Sequence, residues 1–181
     1  MSRAEALALV RKYIDNKNLL KHMLATEAIM GRLAQHFQVD ANLWKIAGLV
    51  HDIDYAQTQD KPEEHGLISA QILREHGFDE DIVHAVLAHA CQAPRDSLLD
   101  KALFASDPLT GLIVAAALIH PDKKLASIDT DFLLNRFREK SFARGANREQ
   151  IASCEDFDLA LDEFMALGLE AMRGISKELG L

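Results

Sequence analysis

Leu43-Trp44-Lys45-Ile46-Ala47-Gly48-Leu49-Val50-His51-Asp52 runs from apolar helical text straight into an imidazole beside a carboxylate. A chain in water would ordinarily continue there with core residues or turn at a glycine. Burying such a pair is costly unless something compensates it. A divalent ion is the most economical compensation, because it accepts neutral imidazole nitrogens and is itself partly neutralised by carboxylate. Working outward, His22, His65, His89 and Asp107 complete an ordered series of six candidates, most of them in apolar helical surroundings. Any one of the eight histidines, taken alone, reads as an ordinary core or surface residue. The adjacent pair and the ordered series lift these six above that background.

Around this stretch nearly everything reads as helix. Ser2 with Glu5 makes a capping box for a first helix, and Asn18 caps a second that runs to about Phe37. Asp40 caps the third, which ends in the His51-Asp52 pair. Residues 53–61 break the apolar period as a loop. Pro62 suits the first turn of a helix that carries His65 and stops at Gly77, and Asp79 caps a short helix through Ala90. After a loop over 91–97, Ser97 opens a helix that continues past Asp107 to about Ile119, with Pro108 kinking or restarting it. Residues 140–148 read as a loop, Asn147 as a further cap, and 151–179 as one amphipathic helix. Strand-type alternation persists nowhere. The expectation is therefore a single all-α domain, a multi-helix bundle with a metal-binding core over about 18–120 and a C-terminal helical extension over 121–181. Helices at 18–37, 40–52, 62–76, 79–90 and 98–119 should surround the site.

A chain of 181 residues with 49% apolar and 27% charged residues suits one globular domain with a real core. The formal net charge of −8 argues against general nucleic-acid binding, which needs a basic face, but leaves room for a small phosphorylated substrate. Cys91 and Cys154 have no metal-type spacing and form no framework, so they read as free thiols of a reducing cytosol. The first residues lack the apolar region of a signal peptide, and the longest apolar stretch, Leu112 to Ile119, falls short of the roughly 20 residues of a membrane span. A soluble, cytoplasmic protein without membrane contact is expected. The sequence leaves its oligomeric state open, a homo-oligomer included.

The series His22, His51-Asp52, His65, His89 and Asp107 resembles the HD superfamily of metal-dependent phosphohydrolases, in the longer variant that holds two ions. The resemblance covers about residues 18–120. It implies that His22, His51 and Asp107 bind one ion, that His65 and His89 bind the second, and that Asp52 bridges them. It also implies attack by a metal-bound water or hydroxide on the phosphorus of a nucleotide or other small ester. The ion itself is open among Fe, Mn, Zn, Ni, Co and Mg, since mixed His/carboxylate ligands suit many of them.

His84 competes with His89 for one role. Five residues apart on a helix, their side chains diverge by about 140° and cannot face one site; the family's placement of this ligand before a loop favours His89. Asp54, in His51-Asp52-Ile53-Asp54-Tyr55, reads either as a catalytic group acting on a leaving group or water, or as a solvated loop carboxylate. Lys61 and Glu64 pose the same choice. His36, His76 and His120 receive no role. Beyond Pro121 the chain turns basic, and Lys124 with the Lys140-to-Arg148 text resembles a subgroup of small HD hydrolases. Lys124, Arg144 and Arg148 are accordingly candidate substrate-binding cations, with a solvated face as the bland reading. Two other functions compete with phosphohydrolysis: an HD-type di-iron oxygenase, and a non-catalytic HD module that binds a nucleotide or a partner.

Overall fold

Ser2 accepts the amide of Glu5 while the Glu5 carboxylate accepts the amide of Ser2, and this reciprocal cap starts α1, Arg3–Tyr13. The computed structural model describes residues 1–181, and every regular element in it is helical. Asn16, two residues before the expected cap, accepts the amides of Asn18 and Leu19 and opens α2, Lys17–Phe37. Asp40 caps α3, Ala41–Val50, whose end unwinds into turns over residues 51–54 before the short α4, Tyr55–Thr58. Then follow α5, Leu67–Glu75, and α6, Glu80–His89, the latter capped by Asp79. Ser97 and Asp100 form a second capping box on α7, Leu98–Ile119. The C-terminal part holds α8, Thr130–Arg138, α9, Arg148–Ala152, α10, Leu161–Gly174, and α11, Ser176–Leu179.

The core forms where α2 packs on α3, α7 and α10, and α7 in turn on α6, α8 and α9. Gly48 sets how closely α3 approaches α2. A Cβ there would lie 2.8 Å from the carbonyl oxygen of Thr26, a backbone clash that no rotamer relieves. The contact brings the end of α3, with His51, beside the N-terminal half of α2, with His22.

Three further expectations change. The helix expected over 62–76 begins only at Leu67, because Gly66 has φ +81° and residues 62–66 are turns; His65 precedes the helix. The single helix expected over 151–179 is broken by a 3-10 turn, Ser153–Phe157, and by Asp158 in the left-handed region at φ 58°. There Cys154 and Phe157 are buried while their acidic neighbours Glu155 and Asp156 stay in solvent. The third concerns α7, which is long and apolar enough to cross a membrane by length and composition. It carries Asp100, Lys101 and Asp107 and forms the centre of the bundle.

Pro108 neither restarts nor ends α7. Lacking an N–H, proline leaves the carbonyl four residues back without its helical donor. That carbonyl, of Phe104, accepts instead from Gln150 Nε2 at 2.8 Å. The defect is closed by a side chain from α9.

Candidate metal centre

The ends of α3 and α6, the first turns of α2, the turn before α5 and the middle of α7 meet at one place. There His22 Nε2 lies 3.1 Å from His51 Nε2 and 3.1 Å from Asp107 Oδ1. The Oδ2 oxygen of Asp52 is 3.4 Å from His22 Nε2 and 3.5 Å from His51 Nε2. Its other oxygen, Oδ1, faces His65 Nε2 at 3.5 Å and His89 Nε2 at 3.4 Å. One carboxylate thus divides the cluster, with His22, His51 and Asp107 at one oxygen and His65 and His89 at the other. A neutral imidazole has a single accepting nitrogen, so only a carboxylate can face both halves at once.

Each ring is held from behind by its other nitrogen. His51 Nδ1 donates to the Gly48 carbonyl at 2.9 Å, and His89 Nδ1 to the Val86 carbonyl at 2.5 Å. His22 Nδ1 donates to Thr110 Oγ1 at 2.8 Å, and the Thr110 hydroxyl donates in turn to the Asp107 carbonyl at 2.8 Å. His65 Nδ1 donates to Asp54 Oδ1 at 2.8 Å. A carbonyl or carboxylate can only accept, and the Thr110 proton is already used, so all four rings carry their proton on Nδ1. Every Nε2 then faces the cluster and, once its ring is neutral, offers it a lone pair, the arrangement metal ligands require. His89 Nε2 is buried and makes no hydrogen bond, with Asp52 Oδ1 standing 3.4 Å away. Such an orphan is expensive in a dry interior unless an ion takes its lone pair. The groups His22-His51-Asp107 and His51-Asp52-His89 are each close enough to hold a metal ion.

Charge within the cluster is tightly coupled. Burial alone would lower the His22 pKa, but Asp107 and Asp52 against its ring raise it to about 10. Burial would likewise raise Asp52, yet His51, His22 and His89 pull it well below the usual carboxylate range. Asp107 is lowered in the same way by His22 and His51.

Asp54 fits neither expectation for it. It is fully buried rather than solvated, and both oxygens are taken: Oδ1 by His65, Oδ2 by the amides of Gly66 at 2.8 Å and Ser69 at 2.9 Å. Without a free oxygen it has nothing to offer a leaving group. Lys61 and Glu64 pair with each other on the surface. His84 stands apart, 3.1 Å from the buried carboxylate of Asp100. His36, His76 and His120 meet Glu163, the Ile72 carbonyl and Asp122.

The cluster opens into a cleft of about 370 Å³ walled by Leu19, Tyr55, Pro108, Gly145 and Gln150 beside its acidic and imidazole floor. Tyr55 is 43% exposed and sets its ring edge-on to His65, centroids 5.5 Å apart. Tyr55 and Gln150 were not singled out in the sequence. Only Pro108 hinted at Gln150, because a proline inside a helix demands some outside donor.

The cationic candidates separate. Arg144 is exposed, without an ion-pair partner, next to the wall residue Gly145. Arg148 is not a substrate-facing cation. Its guanidinium donates to the carbonyls of Phe137, Phe142, Ala143 and Ala146 at 2.6–3.1 Å, and burial lowers its pKa. It shapes the loop that presents Gly145. Lys124 lies in a separate depression with Ala126, Arg173, Ser176 and Leu181.

Comparison with known proteins agrees with this geometry. A family model described as HD domain matches residues 19–112. The chain is similar to Ribonuclease Y of Nitratidesulfovibrio vulgaris (strain DP4), 34% identical over 96 residues, which are 53% of this chain and 18% of that protein. It is similar to Ribonuclease Y of Desulfotalea psychrophila, 31% identical over 138 residues, 74% of this chain and 26% of that one. With Ribonuclease Y of Salinispora arenicola it shares 33% identity over 95 residues, 52% of this chain and 16% of the other. The chain thus spans only about a fifth of the curated relatives it matches. No solved structure matches.

Proposed function

The chain belongs to the HD-domain family, and on that footing we propose that it is a metal-dependent phosphohydrolase of a nucleotide or another small phosphate ester. The observation that carries this reading is the common orientation of the four rings. Each is fixed at Nδ1, and all four Nε2 atoms face the two oxygens of Asp52. In this reading His22, His51 and Asp107 would hold one divalent ion and His65 and His89 another, with Asp52 serving both. Bound there, such ions supply an acidified water nucleophile and positive charge opposite the phosphoryl oxygens.

The chain's own residues do the rest. Asp52 keeps the two half-sites in register, because any shift of its carboxylate moves both. Asp107 and Asp52, held ionised by their imidazole neighbours, offset the positive charge gathered there. Thr110 fixes His22 and at the same time the Asp107 backbone, so ligands from α2 and α7 move together. Leu19, Tyr55 and Pro108 wall the cleft, and Arg144, next to the wall residue Gly145, is the cation this acidic protein would use to draw in an anion.

A second reading, RNA phosphodiester cleavage, is favoured by the name of the relatives, Ribonuclease Y. The net charge of −8 and the few cations at the cleft favour a small substrate over a long polyanion. A panel of nucleoside phosphates, simple phosphate esters and an RNA oligonucleotide, each assayed with Mn²⁺, Zn²⁺, Fe²⁺, Ni²⁺, Co²⁺ and Mg²⁺, tests it. Chelator-sensitive phosphate release from the small esters supports the first reading. Cleavage of the oligonucleotide alone supports the second, and oxygen uptake by an iron-loaded form without any hydrolysis would sink both.

A further inference from the structure

We propose that Asp54 is a positioning residue that sets the tautomer of His65, and that it thereby decides whether the half-site on the Asp52 Oδ1 side takes an ion. The second part rests on the metal-centre reading above; the first does not.

The four rings are not held alike. His51 and His89 donate to carbonyls one turn back in their own helices, which the backbone supplies whatever the side chains are. His22 stands on α2 and is steadied by Thr110. His65 alone neither lies in a helix nor caps one, whereas His51 is the C-cap of α3. It sits in the turn before Gly66, and its acceptor is a side-chain carboxylate reached across 11 residues. Nothing in the local backbone fixes which of its nitrogens carries the proton.

Asp54 does. As a carboxylate it has no proton to give, so a ring nitrogen 2.8 Å away must donate. Thr58 Oγ1, 3.5 Å from the same nitrogen, does not compete, since its own proton goes to the Asp54 carbonyl at 3.1 Å. With the proton on Nδ1, the Nε2 lone pair faces Asp52 Oδ1. The remaining oxygen of Asp54 accepts from Gly66 and Ser69 and so anchors the start of α5 behind the ring. The turn is also pressed on the partner ligand's helix end. A Cβ on Gly66 would lie 2.5 Å from the Ala90 Cβ, next to His89, while Gln92 Nε2 holds the His65 carbonyl at 3.0 Å. Asp54, His65 and His89 therefore form one mechanical unit, which meets the other half where His89 lies edge-on to His51, centroids 5.0 Å apart.

The consequence is a half-site that one atom can close. In Asp54→Asn the amide oxygen can still accept from Gly66 and Ser69, which turns the NH2 toward His65 Nδ1. That nitrogen must then accept, so the ring proton moves to Nε2 and points at Asp52 Oδ1. A protonated Nε2 has no lone pair for an ion. No ligand has been removed, and the other half of the cluster is untouched.

Two measurements test this on the full chain. Nitrogen-15 NMR of the histidine rings in metal-free protein, at a pH where His65 is neutral, reads the tautomer directly. The expected result is Nδ1–H in the wild type and Nε2–H in Asp54→Asn. Equilibrium dialysis with Zn²⁺ or Mn²⁺ alone then reads stoichiometry, expected to fall from two ions to one. The second-site affinity should drop about 10–100-fold, the usual effect of losing such a partner, with the first site unchanged. Ser69→Ala, which removes only the hydroxyl accepting the Asp54 amide, controls for loosening of the turn and should change neither readout. A wild-type His65 protonated on Nε2 overturns the proposal even if Asp54→Asn does not fold. So does Asp54→Asn with an unchanged tautomer and two ions at unchanged affinity. Should the wild type bind no ion at all, the metal-centre reading fails, while the tautomers still decide whether Asp54 sets His65.

Discussion

Gln150 closes the gap that Pro108 opens. Its Nε2 donates at 2.8 Å to the Phe104 carbonyl, the one that proline leaves without a helical partner, and the same bond pins Gln150 to the cleft wall. Gln150→Ala should therefore cost about 1 kcal/mol, the usual net worth of such a bond. For a chain of this size that is a fall of roughly 2–4 °C in Tm. The loss should shrink in a Pro108→Ala background, where a backbone N–H again serves Phe104. A double-mutant cycle by thermal denaturation checks this, and strict additivity would show the bond to be incidental.

Asp52 faces both halves of the cluster and His89 only one. Asp52→Ala should strip both ions and abolish activity. His89→Ala should leave the His22-His51-Asp107 half loaded and weaken mainly the other. Metal analysis of the two purified variants, with circular dichroism to confirm folding, separates the outcomes. Equal loss of metal in both would mean that the halves do not bind independently.

Proton release should accompany metal uptake. In the metal-free fold Asp107 and Asp52 hold His22 protonated, with a pKa of about 10, whereas an ion needs the neutral ring. At neutral pH binding must then expel that proton, and apparent affinity should climb with pH until about 10. The same raised pKa contributes to the stability of the metal-free form. That contribution is fully present below His22's ordinary value of 6.5 and is lost as pH rises through about 10. Calorimetry in buffers of different ionisation enthalpy measures the proton count. A pH-independent affinity between 6 and 9 would contradict the picture.

The local sequence carried the helices that build the site. Asp40, Asp79 and the Ser97 box cap where their side chains announce it, and the apolar period of α2, α3 and α7 places His22, His51 and Asp107 near the core. What it did not carry were relations between distant residues. The bond from Asp54 to His65 and to the amides of Gly66 and Ser69 spans a turn whose register depends on a positive-φ glycine. Likewise, Arg148 looks like any exposed cation until the loop it satisfies is folded around it. Tyr55 gave no signal either, since an aromatic in a loop reads the same whether it walls a cleft or lies on the surface.

Arg144 and Arg148, four residues apart, should fail in opposite ways. Arg148 has its guanidinium wrapped by the carbonyls of the 137–146 loop, so Arg148→Ala leaves several acceptors without a donor. The expected result is lower stability, of order 1–3 kcal/mol, with any kinetic defect following from a disordered loop. Arg144 has no such partners and stands in solvent beside Gly145 at the cleft. Its loss should spare Tm and metal content but raise KM for an anionic substrate, with kcat nearly unchanged, because binding is weakened equally in ground and transition states. Raising the salt concentration should reduce the difference between Arg144→Ala and wild type, as screening removes what the cation contributed. An Arg144→Ala enzyme with wild-type KM at low salt would return this residue to the solvated face.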